Sequence, residues 1–320
     1  MRTSDRIVVA TRASRLALTQ TRLVIDRITA AHPGLTVEIV EVTTEGDRDS
    51  RPFAAIGGKG IFTSEVQRAV VEGRADIAIH SAKDLTADLG PGCDILCVPQ
   101  RADRADVVLG GSGGTGEERL LSLRTGARVG TSSMRRRALL GELRPDLEAV
   151  EFRGNLDTRI AKVAGGAVDA AIVAAAGLER LGDVDADAGV LQPDRWVPAP
   201  GQGVLAVEAM SDRDDLRALL AKVNDAASAI ELAAERAFAR RLEGGCSVPL
   251  GCSATVSGDG VSVIGYLGGS GGRSIRRSAA GARGDASAIG IGLADDVLAA
   301  GGNEVLAALD AVDTPTVEEP

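Results

Sequence analysis

Aromatic residues are scarce in this chain of 320 residues: one tryptophan, one tyrosine and four phenylalanines, 2% in all. Cores must therefore be built from Ala, Val, Leu and Ile, a palette that suits parallel strands buried under helices. An α/β class is expected. Histidine is scarcer still, with only His32 and His80, too few for a typical zinc cluster, so no metal site is expected. Four cysteines, Cys93, Cys97, Cys246 and Cys252, do not make a secreted disulfide framework. No apolar run approaches the roughly 18 to 20 residues that span a bilayer, and MRTSDRIVVATR reads as one short strand rather than a signal-peptide core. A cytoplasmic protein with no membrane partner is the reading. A net charge of −9 argues against nucleic acid as a partner.

Lysine is scarce too. Only Lys59, Lys83, Lys162 and Lys222 appear among 36 basic residues, which leaves 32 arginines. Composition alone favours codon bias in a GC-rich genome as the cause. The functional reading is that forked guanidiniums bind carboxylate or phosphate bidentately, as lysine cannot.

At 44% hydrophobic, the chain has enough apolar material for two or three compact domains. Ile7 to Ala10 reads as a strand, followed by a helix with an apolar stripe of Leu16, Leu23 and Ile28, then a strand over Val37 to Val42. TTEGDRDSRPFAAIGGKG is rich in glycine and charge and has the length of a flap or lid. Two echoes suggest related lobes. VVATRASRLA and ARVGTSSMRRRA each place Thr, Ser and Arg after a strand and before a helix, where free N–H groups favour anions. GRADIAIHSAKDL and GAVDAAIVAAAGL align Asp76 with Asp169 and Leu85 with Leu178.

VPAPGQGVLAVEAM looks like a crossing back to the first lobe, which makes that lobe discontinuous. The expected division is residues 1–103 with 202–221, residues 104–201, and a small α+β unit over 222–320. Within the last, NDAASAIELAAERAFARRLEGG reads as one capped helix with Ile230, Ala234, Ala237, Phe238 and Leu242 on one face. A strand over Val261 to Tyr266, a closing helix near Val297 to Leu309 and a disordered tail DTPTVEEP complete the reading.

The strand DIAI delivers His80, Ser81, Lys83 and Asp84 to the carboxyl end where open α/β sheets place their ligands. A Ser-His-Asp hydrolase is a poor reading of them, because no G-x-S-x-G elbow occurs. Asp84 alone could equally be a loop carboxylate paired to Lys83. In an arginine-lined cleft the same carboxylate suits stabilisation of a developing cation. Cys246, flanked by Gly244, Gly245 and Pro249, reads as accessible. A helix C-terminus does not lower a thiol pKa, so permanent attachment of a group fits it better than turnover. Cys93 and Cys97 read as core thiols and Cys252 is ambiguous. Of Arg135, Arg136 and Arg137 at most two can face one ligand, and the first two are chosen. Arg153 is displayed by Gly154 at another strand end, and Arg159 follows in the next helix, where a plain charged face is the alternative.

Taken in order, TRASRLALTQ, GGKGIFTSEV, DIAIHSAKDL, GTSSMRRR, FRGNLDTRIAKV, GLERLG, PAPGQGVLAVE and AERAFARRLEGGCSVPLG resemble the successive signatures of porphobilinogen deaminases, over residues 7 to 252. The resemblance implies two hinged binding-protein-like α/β lobes plus a small C-terminal α+β domain whose cysteine, matched by Cys246, carries a dipyrromethane cofactor through a thioether. It implies a transferase of tetrapyrrole (heme) biosynthesis. Four porphobilinogens lose ammonia and join head to tail, and water releases hydroxymethylbilane.

Asp84 matches the essential aspartate, and Lys83, Ser133, Arg135 and Arg136 fall among the cofactor's carboxylate partners. Arg12, Ser14, Ser81, Arg104, Arg153, Arg159 and Arg180 fall at substrate-binding positions. Phe62 would pack on a pyrrole, Gly57 to Gly60 would end a lid, and Gln202 would sit at the domain junction. Each pyrrole carries an acetate and a propionate, so many arginines are needed. Arg15 stands where many relatives have proline, and Phe152 where leucine is common. The family expectation is a monomer. A non-enzymatic two-lobed binding protein for small anionic ligands is the main rival, and it leaves EGGCSVP unexplained.

Overall fold

The computed structural model describes residues 5–44, 63–86, 88–182, 187–243, 248–269 and 273–313. Strand β1 (Arg6–Arg12) is buried from Ile7 to Thr11 except at Val8, as a strand flanked on both sides must be. It runs parallel to β2 (Thr36–Val42) and to β3 (Ile77–Ser81). Helix α1 (Arg15–Ala31) makes the first crossover, and α2 (Ser64–Val71) leads into β3.

Beside β3 the direction reverses. Strand β10 (Leu205–Met210) is antiparallel both to β3 and to β4 (Cys93–Cys97), giving the order β2-β1-β3-β10-β4. The second sheet has the same plan. Strands β6 (Arg128–Gly130), β7 (Glu148–Val150) and β8 (Ala170–Ala174) are parallel, while β5 (Asp106–Gly110) is antiparallel to β8 and to β9 (Ala188–Leu191). Its order is β7-β6-β8-β5-β9. The reversed strand of each sheet is supplied where the chain crosses between lobes, through residues 98–105 and 192–204.

The aligned aspartates hold equivalent places. Asp76 Oδ2 accepts from the Val8 N–H at 2.8 Å, and Asp169 Oδ2 from the Arg128 N–H at 2.7 Å. In both lobes a carboxylate at the foot of one strand satisfies the first free donor of its parallel neighbour. The duplication suggested by the sequence is thus present in strand order, direction and register.

Four helices connect the second sheet: α3 (Gly116–Leu121), α4 (Met134–Leu143), α5 (Leu156–Ala164) and α6 (Ala175–Leu181). Helix α7 (Asp214–Leu220) follows β10. The C-terminal domain is an antiparallel sheet of β11 (Leu250–Ser257), β12 (Gly260–Gly268) and β13 (Ser274–Ala282). Helices α8 (Ala226–Arg241) and α9 (Ala286–Val297) pack on it around Phe238, Val263, Leu267 and Leu293. The molecule is therefore two α/β lobes and a small third domain. No helix among the described residues is long and apolar enough to cross a membrane.

Three expectations need correcting. Leu23 is exposed, while Gln20, Thr21, Val24 and Ile28 are buried, because Thr21 Oγ1 bonds Thr11 Oγ1 at 2.7 Å and turns the inward stripe toward β1. Within α8 the inward face is not purely apolar: Ile230 and Ala237 are half-buried, and Glu231 and Glu235 are buried beside Ala234 and Phe238. The closing helix is really two, α9 and α10 (Asn303–Asp313), joined by a π turn over Leu298–Gly302 with Gly301 at φ 103. The lid candidate with Phe62 and Gly57 to Gly60, the Cys246 loop from 244 to 247, and the tail 314–320 lie outside the described residues.

Candidate active site

The parallel strands of both sheets present their carboxyl ends to one cleft. In the first lobe β1 ends at Arg12, and Ser14 then caps α1, its Oγ accepting from the Ala17 N–H at 3.3 Å. Next to it β3 ends at Ser81 and the chain closes a single 3-10 turn over Ala82–Asp84. Ser81 donates to Gln20 Oε1 at 3.1 Å. The turn displays Lys83 and Asp84 at the edge of the cleft.

In the second lobe β6 leads through Thr131 and Ser132 to Ser133, whose Oγ accepts from the Arg136 N–H at 3.4 Å and caps α4. Arg135 and Arg136 follow in the first turn of that helix. Ser132 Oγ accepts from the Phe152 N–H at 3.0 Å, fixing the strand end before Arg153. Phe152 fills the space above Gly130, where an added Cβ would come within 2.6 Å of its ring.

Sequence reasoning missed the centre of this lobe. Asp106, at the start of β5, is fully buried. Its Oδ2 accepts from Arg135 Nη2 (2.8 Å) and Trp196 Nε1 (3.0 Å). Its Oδ1 accepts from Arg136 Nη2 (2.7 Å), Arg136 Nε (3.2 Å) and Gln202 Nε2 (2.9 Å). Arg135 Nη1 also donates to the Val197 carbonyl at 2.8 Å, and Arg136 Nη1 to the Ile172 carbonyl at 2.9 Å. Burial raises the Asp106 carboxyl, but Arg135 and Arg136 outweigh it and hold the group well below the carboxylate range. Both guanidiniums are thus clamped in place, with donors left over. Arg135 Nε is buried without a partner among the described residues.

The two lobes bring these cations together. Burial, with Arg136 and Arg135 nearby, pulls the Lys83 ammonium down to about 8, against the opposing pull of Asp84 and Asp106. Burial, Arg136 and Arg153 lower Arg159 to about 10, with Glu151 and Asp84 pulling the other way. Lys83, Asp84, Arg135, Arg136, Arg153 and Arg159 therefore share one electrostatic neighbourhood. Arg159 is also held by the Gly154 carbonyl at 2.9 Å. Arg180, depressed to about 10 chiefly by burial, donates to the Gly203 carbonyl at 2.7 Å.

Two candidates lie elsewhere. Arg104 turns toward the third domain: Nη2 donates to Glu231 Oε2 at 2.9 Å, and Nη1 to Ser253 Oγ at 3.2 Å, to Thr255 Oγ1 at 3.3 Å and to the Ala254 carbonyl. It lines a separate cavity of about 380 Å3 with Asp103, Asp194 and Ile264. These contacts make it a junction residue. His80 is buried behind β3, its Nε2 3.0 Å from Glu208 Oε2, which removes the Ser-His-Asp arrangement. Gln67 Nε2 donates to the same carboxylate at 3.1 Å.

The domain junction holds a second buried network that the sequence did not announce. Arg101 Nη1 donates to Glu235 Oε1 (2.7 Å) and Glu231 Oε2 (3.2 Å). Its Nε reaches the Gln202 carbonyl at 2.9 Å. Glu235 Oε2 accepts from the Gly201 N–H at 2.7 Å, and its Oε1 from the Ala254 N–H at 2.8 Å. Gln202 Nε2 also reaches the Arg104 carbonyl at 2.8 Å, so it does sit where the crossovers meet.

A cleft with this excess of held, partly unsatisfied cations around one carboxylate fits a ligand bearing several carboxylates. The model of the porphobilinogen deaminase dipyromethane cofactor binding domain matches residues 7–218, and that of the porphobilinogen deaminase C-terminal domain matches residues 229–299. A porphobilinogen deaminase of Roseiflexus sp. (strain RS-1) is 46% identical over 94% of this chain and 98% of its own length. That of Syntrophotalea carbinolica is 41% identical over 98% of this chain and 99% of its own. Among solved structures the methionine binding protein MetQ aligns at a TM-score of 0.44 and 12% identity, over 68% of this chain and 90% of that one. Matched over nearly its whole length, the chain belongs to the porphobilinogen deaminase family.

Proposed function

We propose that Asp84 is the catalytic carboxylate of a hydroxymethylbilane synthase and that Cys246 holds its dipyrromethane cofactor. The enzyme is a transferase that condenses four porphobilinogens with loss of ammonia, and a non-enzymatic binding protein is not favoured. The observation that supports the assignment of roles is that Asp84 adjoins Lys83 and Arg159, the two cations that also face the Asp106-held Arg136.

When bound, the dipyrromethane supplies the free pyrrole carbon onto which the chain grows. Lys83, Arg135 and Arg136 would hold its acetates and propionates, with Arg135 Nε the first donor available. Ser133 orients the Arg136 backbone through its cap. Asp84 stands on a short turn, next to a half-buried Lys83, where water is partly excluded. As the C–N bond of porphobilinogen breaks and ammonia departs, positive charge develops on its ring, and a fixed carboxylate stabilises that charge more than the neutral ground state. Arg12, Ser14, Ser81, Arg153 and Arg159 lie at strand ends and helix starts suited to substrate carboxylates, and Arg180, in the last turn of α6, is assigned to substrate by its motif. Phe62 is assigned to the pyrrole face by its motif.

The three sheets support a division near residues 103, 201 and 221. Location in the cytoplasm and a monomeric state complete the proposal. Intact-protein mass spectrometry of wild type and Cys246→Ser, purified from cells that make porphobilinogen, tests it. A dipyrromethane adduct on wild type and none on the variant is the expected pair of masses. An unmodified wild type that also stays inactive with porphobilinogen overturns the proposal.

A further inference from the structure

Helices α1 and α5 belong to different lobes, yet their first turns touch. Arg15, the first residue of α1, places Nη1 2.5 Å from Oδ1 of Asp157 in the first turn of α5. Each residue stands beside the cluster already described. Arg15 follows Ser14 directly, and Asp157 precedes Arg159 by two positions. Both helices start just past strand ends that carry candidate residues, so the pair bridges the two lobes beside them.

Unlike the Asp106 clamp, this pair is solvated, its side chains 61% and 42% exposed. Such pairs hold weakly, because water competes for both ions and two flexible side chains must be ordered. A carboxylate arriving from solution can therefore take the place of Asp157 on the guanidinium at little cost. The exchange replaces one carboxylate by another and leaves the charge on Arg15 compensated throughout.

We propose that Arg15 is an additional carboxylate-binding residue for incoming substrate, with Asp157 as the internal competitor for its guanidinium. This rests on the reading of the substrate as a dicarboxylate pyrrole. Asp157 keeps Arg15 oriented and weakens capture of anions that offer only one carboxylate. A substrate with two engages an inner cation with one and exchanges with Asp157 through the other.

The test is steady-state kinetics of the full-length, cofactor-loaded enzyme with porphobilinogen, at low and at physiological ionic strength. Arg15→Gln should raise KM about three- to ten-fold with kcat within about two-fold, the scale of one solvated charge-assisted contact. Arg15→Pro, a residue suited to the first position of a helix, should do the same and guards against helix damage as the cause. Asp157→Asn should lower KM at low ionic strength, lose that effect as salt screens the pair, and do nothing in the Arg15→Gln background. Unchanged KM in both Arg15 variants overturns the inference. So does a fall in kcat and thermal stability without a change in KM, which marks a mere strut between lobes. A wild type that carries dipyrromethane but does not consume porphobilinogen sinks the underlying reading instead.

Discussion

Glu235 Oε2 accepts the Gly201 N–H at 2.7 Å, and Gly201 in turn lies flat against the turn that carries Asp84. A Cβ on Gly201 would come 2.9 Å from the Ala82 Cβ and 3.1 Å from the Lys83 nitrogen, and its φ of +72° already lies in the left-handed region. One glycine therefore links the third domain to the back of the Asp84 turn. Gly201→Ala should cost about 1–3 kcal/mol of stability through backbone strain and contact. Because the displaced atoms, those of Ala82 and the backbone nitrogen of Lys83, begin the turn that carries Asp84, kcat should fall more than KM rises. Chemical denaturation and kinetics on one preparation check both, and wild-type values in both would show that the turn does not rest on Gly201.

The sequence showed strands β1, β2, β3 and β12, an echo between the lobes, and the strand-end positions of Ser14, Ser133 and Asp84, because each is announced locally by a hydrophobic run followed by a cap or turn. It did not show Asp106 or Glu235. Asp106 meets Arg136 thirty positions away, and Glu235 meets Arg101 at a separation of 134. Both look like ordinary surface acids until the lobes assemble. Helix α9, whose interior holds Gly290 and Gly292, was not read from the sequence. An added Cβ at Gly290 would come 2.2 Å from the Ala234 carbonyl, so that glycine serves close packing of α9 on α8.

Asp106 predicts a stability effect with a definite pH dependence. Replacing it by Asn leaves Arg135 and Arg136 buried without their counter-charge, a loss of about 3–5 kcal/mol for a broken buried pair. Because the folded-state carboxyl titrates below its ordinary value of 3.8, its contribution is present above that value and is lost as pH falls through it and beyond. Asp106→Asn should therefore be less stable than wild type at neutral pH, and the gap should narrow in acid. A gap that stays constant down to about pH 3 would place the effect in lost packing rather than lost charge.

The cysteines are distinguishable by their surroundings. Burial raises Cys97 to about 12, and burial with Glu208 raises Cys93 to about 11. Cys252 is fully buried on β11, and burial and Glu235 hold its thiol well above the ordinary range. None of the three is a thiolate near neutrality, and the thiolate is the reactive form. Cys252→Ala should therefore keep the dipyrromethane mass that Cys246→Ser loses. Disappearance of the adduct from Cys252→Ala, with the protein still folded, would move the tether to β11 and refute the assignment.

Lys83 makes anion binding by the cofactor-free enzyme depend on pH near neutrality. Its folded value lies at about 8, below the ordinary 10.5, because burial and two arginines disfavour the charged form. Between those values the folded chain carries the neutral amine and the unfolded chain the ammonium. The unfolded state then binds more protons, so this group makes stability rise with pH across the window. Affinity moves the other way. A carboxylate beside Lys83 favours its protonated form, so binding takes up a proton and weakens as pH rises above about 8. Calorimetric titration of the cofactor-free enzyme with an unreactive pyrrole bearing acetate and propionate should show that fall. Lys83→Arg, whose guanidinium stays charged throughout, should bind equally well on both sides of the window. A fall of the same size in Lys83→Arg would mean that some other group in the cleft titrates there.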